Sequence, residues 1–226
     1  MGYYELSYVL MFVSILITII AQIYVSASYS KYKKVENSKG ITGAEAAREI
    51  LDKHGLKNVY VTETRGMLSD HYDSQRKVVR LSSDIYHGKT VAAVSVAAHE
   101  VGHAIQDKEG YGFMKFRHSL FPLVNFSSKA GYFAILFGII FGCFELIWIG
   151  IILEVIILFF QLVTLPVEFN ASKRAANEIK NNNFLVAGER KGSKKMLNAA
   201  AFTYVASVLT TLLQIFRLLL MVRSDD

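Results

Sequence analysis

Apolar positions fall into three long runs: Leu6 to about Ala27, about Leu120 to Thr164, and about Asn198 to Met221. One bilayer crossing takes about 20 apolar residues. The first and last runs fit one crossing each. The middle run is too long for one, and predicts a helical hairpin with helices over about 120–143 and 146–165, turning near Glu145. Gly138 and Gly142 are four apart, a spacing that lets two membrane helices approach closely. The chain therefore reads as four membrane-spanning helices. Val25-Ser26-Ala27 resembles a cleavage site, but Glu5 stands where a signal peptide is positive, and the run is longer than a signal-peptide core.

Between the runs the periodicity shortens. Thr42-Gly43-Ala44-Glu45 has capping-box spacing and opens a helix over about 43–54, with Ala46, Ala47, Ile50 and Leu51 on its apolar side and Gly55 as its stop. Val59-Tyr60-Val61 reads as a strand, Gly66 to Ser74 as turns, and the alternating Lys77–Ser82 as a second strand. A helix follows over about 90–107. The organisation is a first span over 1–27, a polar α+β domain over 28–118, a spanning hairpin over 119–165, a second polar segment over 166–197, and a last span with its tail over 198–226.

Charge orients this arrangement. Net charge is +6, yet mean hydropathy is +0.31. Of the 25 Lys and Arg, 22 lie within 28–118 and 166–197. By the positive-inside rule both polar regions face the cytoplasm, in a multi-pass protein of the cell membrane. The basic residues flank membrane segments and no nucleic-acid motif accompanies them, so nucleic acid is not an expected partner. No inverted repeat suggests a transporter. The single cysteine, Cys143, excludes an internal disulfide and a cysteine metal site.

The chemistry concentrates in Val96-Ala97-Ala98-His99-Glu100-Val101-Gly102-His103-Ala104-Ile105-Gln106-Asp107. On a helix, residues four apart share one face. His99 and His103 can thus take two corners of a zinc tetrahedron, and Glu100 can serve as general base for the attacking water. A hydrolytic zinc site needs one more protein ligand. Glu168, in Pro166-Val167-Glu168-Phe169-Asn170-Ala171-Ser172, lies where the hairpin returns the chain to the side of the His99–His103 helix. A bland interfacial role, paired with Lys173 or Arg174, is the competing reading.

The segments His99-Glu100-Val101-Gly102-His103-Ala104 and Glu168-Phe169-Asn170-Ala171-Ser172 resemble the YugP-type neutral zinc metallopeptidases, a family of membrane proteases. More distantly they are similar to the HtpX and CAAX-prenyl-protease gluzincins. The resemblance covers nearly the whole chain. It implies a zincin-like fold for the polar domain, Zn2+ as cofactor, His99, His103 and Glu168 as metal ligands, and Glu100 as catalytic base. HtpX-like proteins carry Asp four residues after the third ligand, where it orients a ligand histidine; here Ser172 stands there. Asp70, Asp73 and Asn170 are the alternatives, since a ligating histidine donates its other N–H to a carboxylate or carbonyl.

The expected fold is thus a mainly α-helical membrane protein with a small α+β zincin-like catalytic domain. The expected activity is metalloendopeptidase, on membrane or juxtamembrane protein or peptide substrates, with the lipid bilayer as the other partner. The alternative is a catalytically silent metal-stabilised membrane scaffold or adaptor, which has no use for Glu100. The 77–82 strand resembles the zincin edge strand that holds an extended substrate. His71, Tyr72, Arg174 and Tyr204 have oxyanion-donor chemistry. Glu154, Gln161 and Glu168 share one helix face, as do Thr203, Ser207, Thr210, Gln214 and Arg217, which suggests facing polar stripes. His54, His87 and His118 have no partner at metal spacing and read as ordinary satisfied or surface histidines.

Overall fold

The structure is a computed structural model that describes residues 3–223. Its helices are α1 (Tyr3–Tyr32), α2 (Gly43–Lys53), α3 (Ser83–Tyr86), α4 (Val91–Lys108), α5 (Gly112–Phe141), α6 (Phe144–Asn181) and α7 (Ala187–Arg223). Its strands are β1 (Tyr60–Thr64), β2 (His71–Asp73) and β3 (Val78–Ser82). Four helices, α1, α5, α6 and α7, are long and apolar enough to cross a membrane. The chain is a mainly helical membrane protein with a small α+β domain.

The chain forms two compact units. The first draws on Met1–Ile23, Lys115–Pro166 and Phe202–Asp226; the second on Tyr24–Met114 and Val167–Ala201. In the first unit, α5 and α6 are separated by Gly142, whose φ of +63° suits glycine and ends α5. A Cβ at Gly138 would lie 3.0 Å from the Ile147 backbone nitrogen, so these two helices touch through glycine. Ile135, Ile147, Ile151 and Leu218 form its small core.

The second unit has the dense core. Ala46, Ala47, Ile50 and Leu51 of α2 are fully buried, the four residues that the periodicity placed on its apolar side. They pack with Val79, Leu81, Ile85 and the Ala/Val face of α4. The capping box forms: Thr42 Oγ1 accepts from the Glu45 N–H at 3.1 Å, and Glu45 accepts from the Thr42 N–H at 2.8 Å. Sheet order is β1-β3-β2, with β1 parallel and β2 antiparallel to β3.

Two expectations change here. The 77–82 strand lies between two neighbours and cannot be the edge, because His71–Asp73, read as turn, forms a third strand beside it. Asp70 explains that pairing: its carboxylate accepts from the Ser82 N–H at 2.7 Å and from its hydroxyl, pinning β2 to the end of β3. The spanning helices also continue past their apolar runs. α1 reaches Tyr32, α6 runs on to Asn181, and α7 begins at Ala187. Residues 167–181 and 187–201 are thus helical extensions that belong to the second unit.

Candidate metal centre

The helix that carries the two histidines is fixed at its start by side chain and backbone. Thr90 caps it, its Oγ1 accepting from the Ala93 N–H at 3.1 Å, and the Val91 N–H donates to Val35 O at 2.8 Å. From that start to the histidines the residues are Ala and Val apart from Ser95, and all but Val96 are buried. Gly102 matters most. A Cβ there would lie 2.8 Å from the Ala171 carbonyl oxygen, so its missing side chain lets α4 lie directly on the 167–181 part of α6.

That contact brings Glu168 beneath both histidines. Its Oε2 lies 3.3 Å from His99 Nε2 and 3.6 Å from His103 Nε2, and the three ligand atoms lie within 4.8 Å of one another. Metal–donor bonds of about 2.0–2.2 Å at tetrahedral angles separate donors by about 3.4 Å. The two separations to Glu168 already match that value, and a zinc ion would draw the remaining pair in from at most 4.8 Å. Among the described residues this is the only such group of histidine, cysteine or carboxylate side chains. His103 and Glu168 are buried, and the His99 ring is nearly so.

Each ring is held through its other nitrogen. His99 Nδ1 lies 3.2 Å from Ser172 Oγ, and His103 Nδ1 lies 3.0 Å from Gln106 Oε1. Ser172 thus takes the orienting place that the sequence comparison had put in question. Asp70 and Asp73 do not: Asp70 holds Ser82, and Asp73 accepts from the backbone of Gln75 and Arg76 in a turn. Gln106 was missed, although a polar residue three after His103 on the same helix face was visible in the sequence. It is fully buried.

Glu100 lies one residue from His99 and is 8% exposed. Burial pushes its carboxyl up to about 7; the nearby His99 opposes this, while the negative charge of Glu168 adds to it. A carboxyl tuned near neutrality can both take and return a proton.

The other candidates divide. The Tyr72 hydroxyl donates to Asp107 at 2.7 Å, and Asp107 also pairs with Lys77 at 2.5 Å. Burial and that carboxylate push the phenol well above its ordinary range. Arg174 is engaged by Asn170 and Glu109. Tyr204 belongs to the other unit. His71 is exposed, with Nδ1 2.8 Å from Ser69 O. His54 pairs with Glu178 at 3.0 Å and His87 with Glu63 at 3.2 Å, as satisfied histidines do. In the polar stripe of α7, Ser207 and Thr210 bond to carbonyls of their own helix rather than across to another.

The Bacillus subtilis (strain 168) protein described as "Putative membrane protease YugP" is 51% identical over 197 residues, covering 87% of this chain and 88% of that protein. No solved structure matches. The family described as "Putative neutral zinc metallopeptidase" matches residues 7–223, which takes in both histidines, Glu100, Glu168 and the four spanning helices but for the start of α1. The chain belongs to that family.

Proposed function

We propose that the chain is an integral membrane zinc metalloendopeptidase of the gluzincin type. Its active site lies at the cytoplasmic face, and it cleaves membrane proteins or their juxtamembrane segments. His99, His103 and Glu168 hold the metal and Glu100 is the general base. The observation that carries this is the donor spacing of 3.3 and 3.6 Å about Glu168, with the buried Glu100 one residue from His99.

Bound zinc supplies Lewis acidity, lowering the pKa of a coordinated water and polarising the scissile carbonyl. The protein's own groups do the rest. Glu100 Oε takes the proton of the attacking water and returns it to the leaving amine nitrogen. Ser172 and Gln106 hold the two imidazoles with Nε2 towards Glu168. Of the two edge strands, β1 and β2, the one that holds an extended substrate is β2, which the Tyr72–Asp107 bond ties to α4. A substrate segment adds there as a further strand through main-chain hydrogen bonds. The cytoplasmic placement follows from the concentration of Lys and Arg in 28–118 and 166–197. Confinement beside the bilayer favours substrates that are themselves at the membrane.

The test compares the purified, detergent-solubilised chain with Glu100→Gln, using a generic unfolded protein as substrate and measuring bound metal in both. Cleavage that vanishes in the variant while one metal per chain remains supports the hydrolytic reading. Metal in both with cleavage in neither points to a catalytically silent metal-stabilised scaffold. Absence of metal in both overturns the site.

A further inference from the structure

The two histidines are not held in equivalent ways. The group behind His99 Nδ1 is the Ser172 hydroxyl, which can donate or accept as required. The group behind His103 Nδ1 is an amide whose polarity is dictated from further away. Gln106 Nε2 lies 2.8 Å from the Val167 carbonyl oxygen and 2.9 Å from Asn170 Oδ1. Asn170 Oδ1 also accepts from Arg174 Nε at 2.7 Å, and the Arg174 NH2 group donates to Glu109 Oε2 at 2.6 Å.

A guanidinium can only donate and a backbone carbonyl can only accept. Arg174 therefore fixes Asn170 with its oxygen towards Gln106. Asn170 and Val167 together fix Gln106 with its NH2 away from His103. Gln106 Oε1 is left facing Nδ1, where it can only accept. His103 must then carry a proton on Nδ1, which leaves Nε2, the atom 3.6 Å from Glu168 Oε2, as the nitrogen available to a metal. Reversing this polarity would put two N–H groups against each other at a buried site, a desolvation penalty with no compensating bond. The chain begins at a partly exposed ion pair, Arg174–Glu109, and ends at a histidine nitrogen that is buried.

We infer that Gln106, Asn170 and Arg174 form a one-way hydrogen-bond relay that presets the Nδ1–H tautomer of His103, making them positioning residues for metal capture. The relay joins the end of α4, where Glu109 is the C-cap, to the helix that carries Glu168. It is complete in the protein alone, so the metal meets one preset imidazole, His103, and one adjustable imidazole, His99. This inference rests on the reading of His103 as a metal ligand.

The experiment measures zinc affinity of the full-length chain in detergent by competition with a chromophoric chelator. It also records apo-protein Tm and, by imidazole nitrogen NMR, the tautomer of His103. Gln106→Leu is expected to weaken zinc about 10–100-fold, the usual range for a group behind a ligand. Gln106→Leu removes the acceptor at His103 Nδ1 and is expected to mix the two tautomers in the apo chain, whereas Asn170→Leu is expected to weaken zinc in the same direction but by less, because the Val167 carbonyl still holds the Gln106 NH2. Asn170→Asp accepts at both oxygens and so keeps the relay's direction, with zinc affinity held within about threefold. If Gln106→Leu fails to fold, the Asn170 pair decides alone. Asn170→Leu and Asn170→Asp behaving alike, or an unchanged His103 tautomer in Gln106→Leu, would overturn the relay while leaving the metal site intact. A wild-type chain that binds no zinc overturns both.

Discussion

α1 and the start of α4 (91–98) are both apolar, and the two helices bury opposite amounts of themselves. In α1 only 6% of the most apolar window is buried, and Phe12, Leu16 and Ile23 are each at least 60% exposed. In α4, 14 of 18 residues are buried. The difference lies in side-chain size. α1 is built from Ile, Leu, Phe, Tyr and Val, whose bulk fills space against lipid. α4 is built from Ala, Gly and Val, which let neighbouring backbone approach and leave room for two imidazoles and a carboxylate. Hydropathy marks α1 and the start of α4 alike as apolar; the volume of their residues distinguishes the stretch covered by lipid from the one covered by protein.

Substitutions can break this contrast in turn. The largest effect is expected from α6, which carries a carboxylate in each unit. Glu168→Ala removes a corner of the zinc tetrahedron and should lower zinc affinity by more than the ~100-fold upper range for groups behind a ligand. Glu154→Ala, fourteen residues earlier on the same helix, should leave zinc affinity unchanged, and a chelator competition measures both. A loss of zinc in Glu154→Ala would revive a polar cleft shared by the stripes.

Next is the core. Leu81 is fully buried, so Leu81→Ala should destabilise the second unit by about 2–5 kcal/mol. Phe12, 65% exposed on a spanning helix, should lose little when cut to alanine in detergent. Thermal melts of the two variants test whether apolar bulk matters only where protein covers it. Smaller again is Gly102→Ala. Its Cβ meets the Ala171 carbonyl, and forcing the two backbones apart should cost about 1–3 kcal/mol and lower zinc affinity together. Gly112, with open space around its Cβ position, is the control that should tolerate alanine.

The smallest effect is at the α2 cap. Thr42→Ala should cost about 1 kcal/mol. The Thr42 backbone N–H, and then its hydroxyl, hold the Glu45 carboxyl below its ordinary value of 4.5. A depressed folded-state pKa contributes stability that is complete above the unfolded value and disappears as pH falls through the folded one. The Tm advantage of wild type over Glu45→Gln should therefore be constant near neutrality and shrink below about pH 4.5.

Much of this was legible in the chain because it is local. The α2 cap needs only residues 42–45, and the His99–His103 face follows from helical period. Glu168 was reachable because the hairpin left few polar residues in the right place. β2 escaped because three residues carry no periodicity, and what makes them a strand is Asp70 bonding to Ser82 from outside it. That one strand also moved the sheet edge from β3 to β2. Gln106 escaped for a related reason. Its role depends on Val167 and Asn170, over sixty residues away, and no spacing rule within α4 announces them.

The 167–181 part of α6 carries Glu168, Asn170, Ala171 and Ser172 within about one turn of a single helix. Each residue added to a helix advances it by 1.5 Å and turns it by 100°. Genetic change in this stretch is therefore sharply selective by kind. Exposed positions there, such as Phe169, can drift with little penalty. A one-codon insertion or deletion between Glu168 and Ser172 turns the carboxylate about 100° away from the Ala171 and Ser172 that lie against α4, unless a bulge absorbs it. The gene can be rewritten letter by letter in this region, but its reading length is frozen.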